Sequence, residues 1–346
     1  MNIYEIAQLA NVSRTTVSRV INKQFGVSEE TRRAVQSVID ETGYVPSAVA
    51  RSLATNRSYV IGALVHNITQ PFWHGVISGI ESGIHQTEYS LFLANSKSSL
   101  DLYDHDEQYK KNLRSLVARG ADGIIIALVH DLDTEDIDYL ESCAMPYVVI
   151  QNHLEDSRIP SVNVDNIEGA YTITKHLISL GHRRIIYTTG SLNGGMSRSR
   201  IQGFAKALDE ADIPLTNDQV LTCGILFNDG YWGVKRLISD REKMPTAIVC
   251  SNDLTGYGAC LAAREAGLDI PGDLSITGFD NLKRFMDIAA LLPDLTSMGL
   301  PVTDMGSAAT AMLLEQIESG NRPPSRVFPM YFHQGGTVTP PKNPGV

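Results

Sequence analysis

The chain has 346 residues, 43% hydrophobic and 20% charged. That composition excludes a disordered protein, and the length exceeds one ordinary core, so two or three folded units are expected. The formal net charge of −10 argues, taken whole, against a nucleic-acid partner. No apolar run approaches the roughly 18 residues of a membrane span, and the opening MNIYEIAQLA lacks the basic and apolar regions of a secretory signal, so the cytoplasm is the expected location.

The charge is unevenly spread. Residues 1–57 hold seven basic side chains (Arg14, Arg19, Lys23, Arg32, Arg33, Arg51, Arg57) against five acids (Glu5, Glu29, Glu30, Asp40, Glu41). A positive end on an acidic body turns that end toward phosphate. Ile3, Ile6, Ala7 and Ala10 recur at helical spacing and predict a first helix over 3–10. Asn11-Val12-Ser13 reads as a turn, because Asn enters the left-handed region at little cost. Ser13 then caps a second helix over 14–22, with Val17 and Val20 inward. A third helix begins after Ser28 with Glu29 and Glu30 in its first turn, puts Val35, Val38 and Ile39 in the core, and stops at Gly43.

This is the trihelical helix-turn-helix pattern, expected as a domain over 1–45. In such units the second helix enters the major groove with its N-terminal residues at the base edges. Arg14, Thr15 and Arg19 are therefore the expected base readers, the arginines able to grip guanine bidentately. Ser13, Thr16, Ser18 and Asn22 are the expected phosphate contacts, which set register. The competing reading is a three-helix packing module with an exposed Ser/Thr/Arg face.

Residues 46–58 follow as a hinge and linker. Pro46 stands at a helix entrance, and PSAVARSLA predicts a short helix that is marginal by itself. Leu53 is apolar and able to wedge between base steps in the minor groove. An ordinary linker is the other reading.

IYEIAQLANVSRTTVSRVIN, VSEETRRAV, GYVP and AVARSLA together resemble the DNA-binding headpiece and hinge of the lactose-repressor (LacI/GalR) family. The resemblance implies that the hinge helices of two subunits pair in the minor groove, with Ala50, Leu53 and Ala54 as the hinge contacts and Leu53 opening a central step. Asn11 stands where the family usually has glycine.

From Tyr59 on, apolar runs alternate with helical stretches. YVIGALV, YSLFLAN, GIIIALV and PYVVIQ are separated by stretches near 74–87, 105–119 and 134–143. SVNV, RIIYTT, TAIVCS and LSITGF follow, interleaved with 167–180, 198–211 and 253–267. Such alternation means parallel sheets covered on both faces. Two series predict two doubly wound lobes with a ligand at the carboxyl ends of the strands. The expected domain covers 59–340, with an N-lobe of about 59–157 plus 299–322 and a C-lobe of about 160–297 plus 325–338.

The resemblance extends here through ITQPFW (68–73), ADGII (121–125), Val164-Asp165-Asn166 with Gly169, LGHRRI (180–185), Arg200 with Gly203-Phe204, Ser251-Asn252-Asp253 and Gly278-Phe279-Asp280. It implies an α/β periplasmic-binding-protein-like core whose effector cleft is lined by Phe72, Trp73, Arg200, Asn252 and Asp280, with Gln70 where relatives often carry Asn. Aromatic rings cover the C–H faces of a sugar, while Asp accepts from and Arg and Asn donate to its hydroxyls, so a sugar-like effector is expected. Each residue also has a plainer reading: Phe72 and Trp73 as core, Arg200 as a surface charge, Asp280 and Asn252 as helix caps. Ile225 fills a position that is often aromatic in relatives, and Leu300 one that is often Gln.

Other constellations point nowhere catalytic. The four cysteines are scattered, without zinc spacing. Asp101, Asp104, His105 and Asp106 fit the acidic start of a helix better than a metal site. His182 reads as structural, and Gly190, Gly194 and Gly195 fit no phosphate-loop pattern. No cofactor and no metal are expected. The expected function is a sequence-specific transcriptional repressor, a homodimer on pseudo-palindromic double-stranded operator DNA, switched by a small effector. A nucleobase or a partner protein is the alternative co-effector. A solute-binding protein or an enzyme on the same core is the rival from another class.

Overall fold

The structure is a computed structural model that describes residues 1–21, 24–45, 51–52, 55–96, 106–154, 156, 158–190, 192, 194–240, 244–286 and 289–342. It divides into two compact units, Met1–Tyr59 and Val60–Val346.

The first unit contains helices α1 (Ile3–Leu9), α2 (Arg14–Ile21) and α3 (Glu29–Thr42). Local chemistry accounts for each boundary. The Asn2 side chain accepts from the amides of Tyr4 and Glu5, and the Glu5 carboxylate accepts from the Asn2 amide, which closes a capping box that satisfies otherwise orphaned amides. Asn11 takes a φ of 52° in the turn. The Ser13 hydroxyl accepts from the Thr16 amide at 3.1 Å, and the Ser28 hydroxyl from the Thr31 amide at 3.2 Å. Gly43 ends α3 with a φ of 63°. Ile6, Ala7, Val17, Val20 and Val35 form the buried core, with Val38 and Ile39 packed against it.

The second unit is built on two six-stranded sheets. In chain order it runs β1 (Val60–Val65), α4 (Pro71–Ile84), β2 (Ser90–Asn95), α5 (Asp106–Ala118), β3 (Gly123–Ala127), α6 (Thr134–Ser142), β4 (Tyr147–Ile150), β5 (Ser161–Val164) and α7 (Asn166–Ser179). It continues through β6 (Ile185–Thr189), α8 (Gly195–Asp209), β7 (Val220–Thr222), α9 (Phe227–Leu237), β8 (Ala247–Val249), α10 (Asp253–Glu265) and β9 (Ser275–Asp280). β10 (Thr296–Gly299), α11 (Val302–Ser319), β11 (Arg326–Phe328) and β12 (Tyr331–His333) complete it.

The first sheet has the order β11-β5-β4-β3-β1-β2 and the second β12-β10-β9-β8-β6-β7. All pairs are parallel except β12 on β10. Central strands such as β3, GIIIA, are buried along their whole length, the expected character of a sheet covered on both faces.

One expectation is corrected. The alternation of strands and helices puts SVNV and residues 325–338 together in the second lobe, which holds for β12 but not for β5 and β11. β5 instead pairs in parallel with β4, Val149 opposite Ser161, and β11 pairs with β5. The amide and hydroxyl of Ser161 both donate to the Ser325 hydroxyl, which anchors the return of the chain. A four-residue apolar strand carries no mark of which sheet it joins, because neighbouring backbone decides its partner. The chain therefore changes sheets after Val164, after Gly299, and between Phe328 and Tyr331.

α11 packs on α4 through glycines. A Cβ on Gly79 would meet the Thr303 carbonyl, and one on Gly306 the Val76 carbonyl, so the two helices approach at a distance only glycine permits. Among the described residues, no helix is long and apolar enough to cross a membrane.

Candidate functional site

Two surfaces gather the residues singled out by sequence, one in each unit. On α2 and the turn before it, Ser13, Arg14, Thr15 and Arg19 are exposed and Thr16 and Ser18 half-buried. Val17 and Val20 hold the opposite side of α2 in the core. The Ser13 and Thr16 hydroxyls lie 2.9 Å apart. Arg14 does not stand alone. Its Nη1 donates to the Tyr4 hydroxyl at 2.8 Å, and its guanidinium lies 5.4 Å from the centre of the Tyr4 ring. Tyr4 was missed because an exposed tyrosine on a first helix carries no signal by itself. Asn22, Ala50, Leu53 and Ala54 lie outside the described residues.

In the second unit a cavity of about 820 Å³ opens at the carboxyl ends of both sheets. All six sequence-predicted effector residues, Gln70, Phe72, Trp73, Arg200, Asn252 and Asp280, line it. Pro71 starts α4, so Phe72 and Trp73 sit in its first turn, their rings 4.7 Å apart and nearly perpendicular at 83°. Gln70 occupies the N-cap position and makes no side-chain cap.

Arg200 projects from α8 and is buried. Each of its three nitrogens donates once within the protein: Nε to Asn166 Oδ1 at 2.8 Å, Nη1 to the Ser251 carbonyl at 2.5 Å, and Nη2 to Asp280 Oδ1 at 3.3 Å. The guanidinium also lies 3.7 Å from the Phe279 ring centre. Asp280 ends β9 with a φ of 91°, backbone that an L-residue holds only where its surroundings demand it. Burial pushes its carboxyl above the usual carboxylate range, and Arg200 pulls it part of the way back.

Asn252 is engaged at both ends of its amide. Its Oδ1 accepts from the Thr255 amide and caps α10, and its Nδ2 donates to the Ile225 carbonyl, each at 2.9 Å. Its neighbour Asp253, noted in the sequence only as part of the segment Ser251-Asn252-Asp253, is buried. It accepts from the Leu282 amide at 2.6 Å and the Ser297 hydroxyl at 2.8 Å.

The first lobe contributes residues that sequence reasoning missed. Tyr109 of α5 lines the cavity, its ring 4.6 Å from that of His130 and its hydroxyl donating to Asp136 at 2.5 Å. Asp133, another wall residue, pairs with Lys110 at 2.6 Å. A tyrosine inside an ordinary amphipathic helix gives no clue that it faces a ligand. Ile225 lines the second-lobe wall, whereas Leu300 is buried in the core. His182 is structural, bonded to Thr246 Oγ1 and the Thr339 carbonyl at 2.9 Å each. Among the described residues, no group of three His, Cys, Asp or Glu side chains is placed to hold a metal; Asp101, Asp104 and His105 lie outside them.

Comparison with known proteins places this arrangement. Residues 2–47 match the profile of "Bacterial regulatory proteins, lacI family", and residues 58–334 that of "Periplasmic binding proteins and sugar binding domain of LacI family". The chain belongs to the LacI family. The HTH-type transcriptional repressor PurR of Haemophilus influenzae (strain PittEE) is 34% identical over 315 residues, 91% of this chain and 90% of the relative. That of Aliivibrio salmonicida (strain LFI1238) is 34% identical over 330 residues, 95% and 96% of the two chains. The lac repressor dimer bound to operator and the anti-inducer ONPF shares the fold, with a TM-score of 0.84 at 24% identity over 98% of this chain and 99% of that one. A LacI family regulator from Enterococcus faecium with bound ribose aligns at a TM-score of 0.69 and 27% identity, over 81% and 99%.

As a LacI-family member the protein is a DNA-binding transcription regulator and not an enzyme. Its family profiles fall on the two units already described: the headpiece match spans α1–α3, and the core match spans β1–β12.

Proposed function

We propose that this protein is a cytoplasmic homodimeric repressor of a pseudo-palindromic operator, and that its affinity is set by a neutral flat heterocycle, of the nucleobase class, bound in the cavity. The expected sugar-like effector gives way to this reading for a physical reason. A sugar needs several free donors and acceptors for its rim of hydroxyls. Here the amide of Asn252 is engaged at both ends, and three of the five N–H groups of Arg200 already donate within the protein, so few donors are left for a rim of hydroxyls. The cavity offers ring area from Phe72, Trp73 and Tyr109 and apolar Val129, Met196 and Ile225, with polar groups such as Gln70, His130, Ser197 and Asp280 around them. A planar ring with few polar atoms suits that lining.

On the DNA side, residues 1–45 form the reading domain and 46–58 the hinge. Arg14, Thr15 and Arg19 read base edges; Ser13, Thr16, Ser18 and Asn22 hold phosphates; Ala50, Leu53 and Ala54 enter the minor groove. Two copies on a two-fold axis read half-sites about one helical turn apart.

The test is selection of bound sequences from random duplex DNA at fixed salt, run alone and with hypoxanthine, adenine, guanine, cytosine, uracil, ribose or cellobiose. A palindromic motif whose enrichment changes with a base is the expected result. Enrichment that responds to a sugar and to no base overturns the ligand class. Absence of any motif in every arm overturns the DNA reading.

A further inference from the structure

We infer that the hydroxyls of Tyr187 and Ser251 are the cavity's unfilled anchor, and that the ligand supplies the hydrogen-bond acceptor, a carbonyl oxygen, ring nitrogen or hydroxyl oxygen on a neutral molecule, that they lack. The inference deepens the proposed effector site and rests on the cavity being that site. Tyr187 stands on β6 and is 1% exposed; Ser251 follows β8 and is 7% exposed. Both line the cavity. Neither Tyr187 Oη nor Ser251 Oγ has a hydrogen-bond partner among the described residues. Buried hydroxyls without partners are rare in folded proteins, because their lost hydration goes uncompensated.

Their placement is consistent. β6 and β8 are adjacent and parallel with Tyr187 opposite Val249, so Ser251, two residues on, lies along the same line toward the strand ends. Arg200 donates to the backbone carbonyl of Ser251 and to Asp280, which places the serine beside that ion pair. Beside an arginine that already spends three of its five N–H groups on the protein, these two hydroxyls are polar groups left over for a ligand. Desolvation holds the Tyr187 phenol well above its ordinary range, so it stays protonated and presents a donor. Ser251 turns its hydroxyl as donor or acceptor to suit the ligand's next atom.

Tyr187 carries no mark in the sequence, and Ser251 stands out there only as part of the segment Ser251-Asn252-Asp253. Tyr187 sits in the apolar run RIIYTT and reads as core, while Ser251 reads as the residue before a helix cap.

The test uses the full-length protein, calorimetric titration with the five common nucleobases and with ribose, and the variants Tyr187→Phe and Ser251→Ala. Each variant is expected to weaken the bound probe roughly threefold to tenfold, the value of one neutral hydrogen bond. Without ligand, the melting temperature of Tyr187→Phe is expected to equal or exceed that of the parent, since the lost hydroxyl had no partner. A clear fall in melting temperature reveals a structural partner and overturns the inference, as does unchanged affinity in both variants. Binding of ribose and of no base overturns the nucleobase reading alone, and the variants then test the anchor with ribose. Binding of none of the probes overturns both.

Discussion

Arg200 and Asp280 lie 80 residues apart in the chain and meet at 3.3 Å, with side chains only 5% and 9% exposed. A buried guanidinium left without its carboxylate is costly, on the order of 3–5 kcal/mol. Asp280→Ala is therefore expected to lower unfolding free energy by an amount in that range and to abolish the ligand response. Asp280→Asn keeps shape and an acceptor and is expected to lose less stability. Urea unfolding of both variants beside ligand titration checks this. Parent-like stability of Asp280→Ala would show that the pair contributes little to the fold.

Tyr4 and Arg14 suggest a second experiment. The phenol holds the guanidinium from the side, by a hydrogen bond and by its ring face. Arg14→Ala is expected to cost roughly 1–3 kcal/mol on the best operator and to relax preference at one base pair. Tyr4→Phe, which keeps the ring and removes the hydrogen bond, is expected to reduce affinity at that same base pair by a fraction of this. Competition binding on a set of single-base operator variants gives both numbers. Equal loss on every sequence would make Arg14 a phosphate contact.

What the sequence disclosed and what it hid divide along the range of the interactions. Asn11, Ser13, Ser28 and Gly43 were readable because turns and caps are settled within a few residues. The cavity residues were reachable only because their motifs resemble a known family. Asn166 and the Ser251 carbonyl, which share Arg200, stand 34 and 51 residues from it, and no local pattern records such an approach. β5 failed for the same reason, since its partner strand is chosen by tertiary pairing rather than by its own apolar residues. Asn252 shows both ranges at once, since its Oδ1 serves the local cap that was visible and its Nδ2 donates to the Ile225 carbonyl 27 residues away.

Asp253 gives the fold a pH dependence whose sign is fixed by its burial. Desolvation, then the nearby charge of Asp280, raises its pKa from 3.8 to about 7, against the pull of the Leu282 amide and the Ser297 hydroxyl. A carboxyl whose folded pKa lies above its unfolded value stabilises the fold fully below about pH 3.8. That contribution declines as pH rises and is gone once pH passes about 7. The shift is worth at most roughly 4 kcal/mol. Asp280, also raised, acts in the same direction. His176 and His182, held neutral by burial, act oppositely and lose stability as pH falls below about 6.5. Asp253→Asn isolates the carboxyl, because the histidines are common to both proteins. The parent's stability advantage over the variant is expected to be largest near pH 4, to shrink toward pH 7 and to stay level above it. A difference that does not vary over that window would mean that Asp253 is ionised throughout and its charge is offset by groups other than those named.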